Sequence, residues 1–201
     1  MIDIISRYGF YGTLRLFYSV ILSKLLVSSK IRIIRHPFYI RGIKHIDWGV
    51  DFTSGVNLRI DADPIVFSKS NCVLYIGNNV QVNDYVHIGA VNKVVIGDNV
   101  LIASKVYISD HNHGNYNGLF QSSPDSDPSK RLIFSMPVVI EDNVWIGEQV
   151  SILPGVTIGK GSIIGANSVV TKNIPAACIA IGVPAKVIKK YNFENKQWEK
   201  I

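Results

Sequence analysis

The sequence is poor in the features that mark several large classes of protein. It has only two cysteines, Cys72 and Cys178, which lie far apart without CxxC or metal-site spacing. This spacing argues against a disulfide framework and predicts reduced core thiols in a cytosolic protein. Lysine and arginine exceed aspartate and glutamate by 21 − 15 = 6, but they form no dense basic run and no nucleic-acid motif. Nucleic acid is therefore not an expected partner, whereas the surplus suits an anionic ligand or a membrane surface.

Long hydrophobic runs are missing as well. The apolar run free of charged residues extends only over 16–23, between Arg15 and Lys24, which is too short for a membrane span of about 20 residues. The N-terminal segment lacks a small-residue cleavage site, so a secretory signal is not expected. With 47% apolar and 18% charged residues, the 201-residue chain is predicted to be globular.

What the sequence does contain is a period of six between Ile140 and Ile174. Every sixth residue is aliphatic, and a second small or branched residue follows four positions later. The two series are Ile140, Ile146, Ile152, Ile158, Ile164, Val170 and Val144, Val150, Val156, Ser162, Ser168, Ile174. A fixed short period indicates a repeat architecture, here a parallel β-helix of triangular section with one hexad per side. Each aliphatic residue is then expected to stack inside on its copy 18 residues later, because stacked coils bury a continuous core.

The register divides the chain into three parts. We predict an N-terminal helical segment (1–45), a β-helix domain (46–182) and a short basic C-terminal tail (183–201), with a helix beginning near Ala185. The register blurs across 61–72, which predicts an irregular coil or small insertion. Residues 110–137 are polar and lack the aliphatic ladder, so they are predicted to project as a loop, the kind of segment that often carries a functional site.

The N-terminal segment has an apolar stripe at helical spacing. Its members are Leu14, Phe17, Tyr18, Ile21, Leu22 and Leu25. Such a stripe can pack against the β-helix or a neighbouring subunit. It can also lie in a membrane interface, where the nearby arginines and lysines would meet anionic lipid. The sequence leaves both interpretations open.

The predicted loop opens with the sequence Asp110-His111-Asn112-His113. A neutral imidazole at a loop mouth is a candidate general base, because its ordinary pKa lies near neutral pH. The histidines could instead only brace the loop. A zinc site formed with His87 is a further alternative, although the sequence contains no second ligand cluster.

These motifs together resemble the hexapeptide-repeat acyltransferases. The resemblance rests on the hexads, DHNH (110–113), NVWIG (143–147), GANSVVTK (165–172) and GVPAKVIKKY (182–191), and it covers about residues 46–190. Within that family the sequence is most similar to the lipopolysaccharide O-antigen acetyltransferases of enteric bacteria. The likeness extends to RYGFYGTLRL (7–16) and to the tail (191–201). It implies a mainly β, left-handed parallel β-helix, a homotrimer, and transfer of acetyl from acetyl-CoA without a metal.

The resemblance also implies roles for individual residues. His111 matches the catalytic histidine, and Asn83 an asparagine that holds the acceptor sugar, with Asp84 and His113 as further acceptor contacts. The backbone N–H of Glu148 matches the oxyanion donor, and we expect its carboxylate to orient a histidine across the subunit boundary. Contacts to the coenzyme are implied for Trp145, Gly147, Ala166, Thr171, Lys172 and Lys186. Asn83 could instead be a corner residue in a left-handed turn, as we expect for Asn78 and Asn143.

The implied acceptor is a sugar hydroxyl of a surface polysaccharide, O-antigen or capsule, or of its lipid-linked precursor. The enzyme would then work in the cytoplasm, at the inner face of the cytoplasmic membrane. One alternative is an acceptor of another kind, namely a free sugar, an aminosugar or an antibiotic. A remote alternative is a β-helix that is not an enzyme or that depends on a metal.

Overall fold

The computed structural model describes residues 2–65 and 72–201 as three faces of parallel strands that the chain visits in turn. Face one contains Ile33–Ile34, Thr53–Ser54, Gln81–Val82, Leu101–Ile102, Trp145–Ile146, Ile163–Ile164 and Cys178–Ile181. Face two contains Phe38–Arg41, Leu58–Ala62, His87–Ala90, Tyr107–Ser109, Ser151–Ile152 and Val169–Val170. Face three contains Ile46–Trp48, Leu74–Ile76, Val94–Ile96, Val138–Ile140 and Thr157–Ile158. The predicted parallel β-helix is therefore confirmed.

The core is the predicted stack of aliphatic residues. The register pairs Ile146 with Ile164, Ile152 with Val170, and Ile140 with Ile158. All six are fully buried, as are the residues of the second series from Val144 to Ser168, to within 1% exposure. Burial of such a side chain contributes about 1.5–3 kcal/mol, so the repeated inward contacts hold the coils in register.

The turns between faces place one residue in the left-handed region. Asn143 has φ 58°, as expected, whereas at the corner of Asn78 the left-handed residue is its neighbour Asn79 (φ 55°). Asparagine tolerates this conformation because its short side chain can hydrogen-bond locally.

The β-helix begins earlier than predicted. The helix Ile2–Leu22 is interrupted at Gly9 (φ 67°) and continues as a π-helical turn, Ser23–Val27. Beyond it, the chain already forms the first sides of a coil, followed by a 3-10 turn, Ile43–His45. The prediction that the whole of 1–45 is helical is therefore wrong. The period of six continues backwards through Ile40 and Ile34, and these residues pack against the core.

The helix packs against the first coil through polar side chains. Its buried residues are the polar Thr13, Ser19 and Ser23. Ser23 Oγ accepts the Ile34 N–H at 2.7 Å, and Ser19 Oγ accepts the His36 N–H at 3.1 Å. These hydroxyls satisfy backbone donors of the first coil, which would otherwise be buried without partners.

The apolar stripe consequently faces outward. Leu14, Phe17, Tyr18, Ile21 and Leu25 are each at least half exposed, from 50% to 78%. Of the interpretations left open above, packing of this stripe against the β-helix of the same chain is wrong, whereas contact with a neighbouring subunit or a membrane interface stays a prediction. By length and hydropathy alone, Ile4–Val27 could cross a membrane, which differs from the prediction based on its uninterrupted run. The serine contacts to the first coil instead place the helix along the β-helix.

The predicted loop leaves the coil between face two and face three. Its base is a two-stranded antiparallel ribbon, His111–His113 with Ile133–Ser135, and it contains the 3-10 turn Pro128–Lys130. Of the predicted irregular stretch 61–72, residues 66–71 lie outside the described part of the chain.

The C-terminal tail is a β-hairpin rather than the predicted helix. Lys186–Asn192 pairs antiparallel with the last strand of face one, Cys178–Ile181, and with Gln197–Lys200. The open edge of the last coil offers unpaired backbone groups, and the tail satisfies them by strand pairing. Both cysteines are free, but only Cys178 is buried, and Cys72 is half-buried.

Candidate functional site

A groove of ≈ 710 Å³ lies between face two and the base of the loop. Outward side chains of face two line one side, and the ribbon that carries His111 and His113 lines the other. The two histidines are two residues apart in one strand, so their side chains lie on the same side of it. The groove is therefore where the predicted base meets open space.

His111 is held by a buried carboxylate. Its Nδ1 lies 3.0 Å from Asp110 Oδ1, and the Asp110 side chain is fully buried while that of His111 is 22% exposed. Ser109 Oγ accepts the His111 N–H at 3.2 Å and donates to the His111 carbonyl at 3.0 Å. The imidazole is thus fixed on its Nδ1 side.

The Asp110 carboxylate is itself tied to the preceding coil. It accepts the backbone N–H groups of Val91, Asn92 and Lys93 at 3.0, 2.8 and 2.7 Å. Burial raises the pKa of Asp110. The hydrogen bonds from His111 and the three N–H groups lower this pKa by more than burial raises it, so the net shift is downward. The carboxylate is therefore ionised at neutral pH. Sequence reasoning did not select Asp110, although its place directly before His111 was the signal.

A glycine makes room for the histidine ring. A Cβ built on Gly89 would lie 3.2 Å from His111 Cε1. Glycine leaves the ring free to lie against the strand at this position, because it has no side chain.

Four predicted residues stack along the turn between face one and face two, which we call the first edge. Asn83 donates its N–H to Ile102 O in the next coil, and Gly147 donates to Ile164 O, which precedes Ala166 by two positions. Glu148 O accepts the Asn167 N–H at 2.8 Å. The structure thus brings the predicted acceptor residue Asn83 and the predicted coenzyme residues Gly147 and Ala166 to one edge, coil above coil.

The N–H of Glu148 is free of partners within residues 2–65 and 72–201. At the equivalent corner of an earlier coil, Asp84 Oδ1 accepts the Val56 N–H at 2.8 Å. No described carboxylate occupies that position above Glu148, because Ala166 stands there. Gly147 is required beside it, since a Cβ would lie 2.6 Å from Ala166 N. The role of oxyanion donor that the resemblance implies for this N–H stays a prediction.

The remaining predicted residues are divided between two places. Thr171 and Lys172 are exposed at the turn between face two and face three, the second edge, which also carries Asp110 and His111. The exposed Trp145 lies on face one, just before the first edge. Within one chain, face two therefore separates His111 from Glu148, and the structure does not bring them together.

Lys186 lies closer to the first edge than its place in the tail suggests. It pairs with Ile181, and the Ile181 side chain is the nearest group to the Cβ position of Gly165, the neighbour of Ala166. The hairpin thus places this lysine beside the predicted coenzyme residues.

The other predicted acceptor residues differ in how far they are already engaged. Asn83 is not left-handed, because Tyr85 (φ 59°) takes that place in its turn, so the corner interpretation does not apply to it. The Asp84 carboxylate is bonded to Val56, as described above. His113 is exposed, and its carbonyl accepts a hydrogen bond from the Tyr116 hydroxyl. Arg131 Nη1 donates a hydrogen bond to the same hydroxyl at 2.8 Å.

The described residues contain no group of three or more His, Cys, Asp or Glu side chains placed to hold a metal ion. His87, the third histidine considered for a zinc site, instead lies 3.2 Å from Asp61.

Comparison with known proteins adds the following. Residues 137–172 match the family model described as bacterial transferase hexapeptide (six repeats). The chain is 48% identical over 201 residues to WbbJ of Escherichia coli K12, provisionally named a lipopolysaccharide biosynthesis O-acetyl transferase, covering 100% of this chain and 99% of that protein. It is 40% identical over 146 residues to the galactoside O-acetyltransferase of the same organism, covering 73% and 67%.

Two solved structures share the architecture. Galactoside acetyltransferase in complex with coenzyme A matches with a TM-score of 0.51 at 32% identity, over 82% of this chain and 66% of that one. AntD, an N-acyltransferase from Bacillus cereus, matches with a TM-score of 0.67 over 83% and 82%. Because its identity is only 20%, AntD shows the fold alone.

Proposed function

Since the chain belongs to the hexapeptide-repeat acetyltransferases, with their left-handed β-helix, we propose that it acetylates a sugar hydroxyl with His111 as general base. Membership confirms the predicted family, fold and acetyl-CoA-dependent acetyltransferase class. The observation that carries the proposal is the pair formed by His111 and the buried, ionised Asp110 at the mouth of an open groove.

The pair suits the chemistry of acyl transfer to a hydroxyl. In the proposed state, Asp110 Oδ1 accepts a hydrogen bond from His111 Nδ1–H, which leaves Nε2 as the basic nitrogen. His111 takes the proton of the acceptor hydroxyl as its oxygen attacks the thioester carbon, and then gives that proton to the departing coenzyme A sulfur. A hydroxyl is a weak nucleophile at neutral pH, so the reaction needs such a base.

The N–H of Glu148 is the proposed donor to the thioester oxygen as negative charge develops on it. A fixed donor of this kind contributes about 3–4 kcal/mol to catalysis. Its support is the absence of any partner for this N–H within the described residues. Because Asp110 already holds His111 Nδ1, the proposal relies on the backbone of Glu148 rather than on its carboxylate.

The proposed active site is formed by two chains. His111 lies on the second edge and Glu148 on the first, so one chain alone separates the base from the oxyanion donor. In a homotrimer, the second edge of one chain would meet the first edge of the next, as closed cyclic symmetry allows. The coenzyme would then lie in the cleft, against Trp145 and Ala166, with Thr171, Lys172 and Lys186 near its polar groups.

The proposed acceptor is a sugar of a surface polysaccharide, O-antigen or capsule, or its lipid-linked precursor. Its support is the similarity to WbbJ along the whole chain. A free sugar is the second candidate, supported by the 40% identity to the galactoside O-acetyltransferase over a shorter range. Asn83, Asp84 and His113 are the proposed acceptor contacts.

The proposed location is the cytoplasmic side of a membrane, with peripheral attachment through the helix Ile2–Leu22. Its support is the exposed apolar stripe described above, flanked by Arg7, Arg15 and Lys24. Lipid-linked acceptors would be presented at that surface.

The test is transfer from acetyl-CoA to a panel of free and lipid-linked sugars, followed by thiol release. We expect His111→Ala to lose about 10²–10⁴-fold in kcat and to keep its affinity for acetyl-CoA. Leu132→Ala changes an 89% exposed loop residue and serves as the control variant, purified and assayed in the same way. Thiol release at the wild-type rate in His111→Ala would refute the proposed base.

A further inference from the structure

The groove holds a second carboxylate–imidazole pair that the proposed reaction does not use. His87 Nε2 lies 3.2 Å from Asp61 Oδ2, and Arg59 Nε donates to the same oxygen at 2.7 Å. All three side chains point outward from face two, because the residues that alternate with them are buried in the core.

Within the described part of the chain, the second oxygen of Asp61 has no hydrogen-bond donor. Asp61 Oδ1 is buried and accepts no hydrogen bond from any described residue. The Arg41 Nε is 3.6 Å away, which is an ion-pair distance but too long for a good hydrogen bond. A buried acceptor without a donor is costly, so a ligand hydroxyl that donates to it would be favoured.

The other groups around Asp61 can also serve a polar ligand. Burial is the largest influence on His87 and lowers its pKa, despite the hydrogen bond to Asp61, which raises it. The neutral ring therefore donates Nε2–H to Asp61 at neutral pH and packs beside Tyr107, with ring centroids 5.3 Å apart. The Arg59 side chain is 54% exposed, and its guanidinium has further donors for a ligand oxygen.

The register places Asp61 next to the catalytic base. Asp61 pairs with Gly89 on the adjacent strand, and His111 Cε1 lies against Gly89. Adjacent strands are about 4.8 Å apart, so Asp61 and His111 can both reach hydroxyls of one sugar ring.

Resting on the proposed function, we propose that Asp61 and Arg59 form an acceptor subsite for a neutral hexopyranose. Asp61 Oδ1 accepts a hydrogen bond from a free hydroxyl of the ring whose neighbouring hydroxyl is acetylated, and Arg59 donates to an oxygen of the same ring. His87 is a positioning residue that holds Asp61. The ligand group that faces Asp61 Oδ1 must be a hydrogen-bond donor, so a carboxylate or phosphate is disfavoured at that position.

The test compares Asp61→Asn with wild type on nitrophenyl hexopyranosides and their monodeoxy analogues. A site that hydrogen-bonds a hydroxyl rejects the analogue that lacks it. We expect the wild type to prefer the parent sugar over one deoxy analogue, and Asp61→Asn to lose that preference. Its KM for the parent sugar should rise about tenfold, while its KM for acetyl-CoA stays unchanged.

Two further variants sharpen the result. Asp47→Asn removes an exposed carboxylate from face three and should leave both KM values unchanged. Arg59→Lys keeps the positive charge but loses the planar arrangement of donors of the guanidinium. This variant should therefore also raise the KM for the parent sugar. If thermal unfolding shows that Asp61→Asn does not fold, Arg59→Lys is the variant that tests the subsite.

The outcomes separate this proposal from the one on which it rests. An Asp61→Asn enzyme with wild-type sugar KM and wild-type preference would overturn the subsite while His111-dependent transfer stands. A wild-type protein that acetylates no sugar of either panel would overturn the proposed function, and the subsite with it.

Discussion

Gly89 allows the His111 ring to lie against face two, and that contact can be tested directly. A Cβ at this position would be 3.2 Å from His111 Cε1, so Gly89→Ala should push the ring outward by a few tenths of an ångström. We expect kcat to fall about tenfold or more, because small displacements of a catalytic group reduce the rate strongly. Steady-state kinetics would measure the kcat of Gly89→Ala, with the affinity for acetyl-CoA and thermal unfolding as controls. An unchanged kcat would contradict the expectation.

Asp110 couples the site to stability and to pH. Its pKa is lowered in the folded protein, so its ionised form stabilises the fold above the ordinary aspartate pKa. That contribution is lost as the pH falls through the lowered pKa of the folded state. We expect Asp110→Asn to lower the unfolding temperature at pH 7, and the difference from wild type to shrink under acidic conditions. Calorimetry at a series of pH values would measure the two unfolding temperatures. If their difference stayed constant across pH, the charge of the carboxylate would not be the cause of the lost stability.

His111 and the free N–H beside Gly147 could be selected from the sequence, because their motifs are local and specific. Asp61 could not, because its importance depends on a partner, Gly89, that lies on the next coil and 28 residues away. A contact between coils has no signature in the residues near it. The same holds for the hydroxyls of Ser19 and Ser23, which look out of place in an apolar helix until their partners are seen.

At the scale of elements, the helix Ile2–Leu22 presents its apolar stripe to the outside. We expect the wild-type protein to sediment with vesicles that contain anionic lipid. The double variant Phe17→Ser/Leu25→Ser should bind them at least tenfold more weakly, since burial of each large apolar side chain is worth about 1.5–3 kcal/mol.

The exposed loop residue Leu132 supplies the matched control for that experiment. Leu132→Ser removes a similar apolar side chain from a different surface and should leave vesicle binding unchanged. A wild-type protein that stays in the supernatant at low salt would contradict membrane attachment through the stripe.

The repeat elements were predictable because their period is encoded six residues at a time, including the slip between Ile88 and Ile96, where the strand His87–Ala90 is longer. The ends of the β-helix were not. The turn of the first coil at 35–37 contains neither glycine nor asparagine. The tail pairs as a strand only because the last coil leaves an edge beside it. Both depend on neighbours that the local sequence does not specify.

For the whole molecule, the separation of His111 from Trp145 and Glu148 predicts complementation between inactive chains. Co-expression of His111→Ala with Trp145→Ala should restore activity, because a mixed trimer contains one cleft with both residues intact. Each mixed trimer then has one intact cleft out of three, so about a third of the wild-type activity per trimer is expected. Purified mixed trimers, carrying two affinity tags, would be assayed for thiol release.

The matched control combines two variants of the same edge. His111→Ala with Asp110→Ala should give no recovery, because every cleft then lacks part of the same pair. Equal recovery in both combinations, or none in either, would count against a site shared between chains.

The hairpin Lys186–Asn192 and Gln197–Lys200 has a consequence beyond its place near the coenzyme residues. A stack of identical-looking coils could, in principle, grow without limit by adding the first coil of one molecule to the last coil of another. The hairpin occupies face one at that end with antiparallel strands rich in lysine, which cannot template a further coil. On this face the hairpin therefore opposes end-to-end addition of a second molecule.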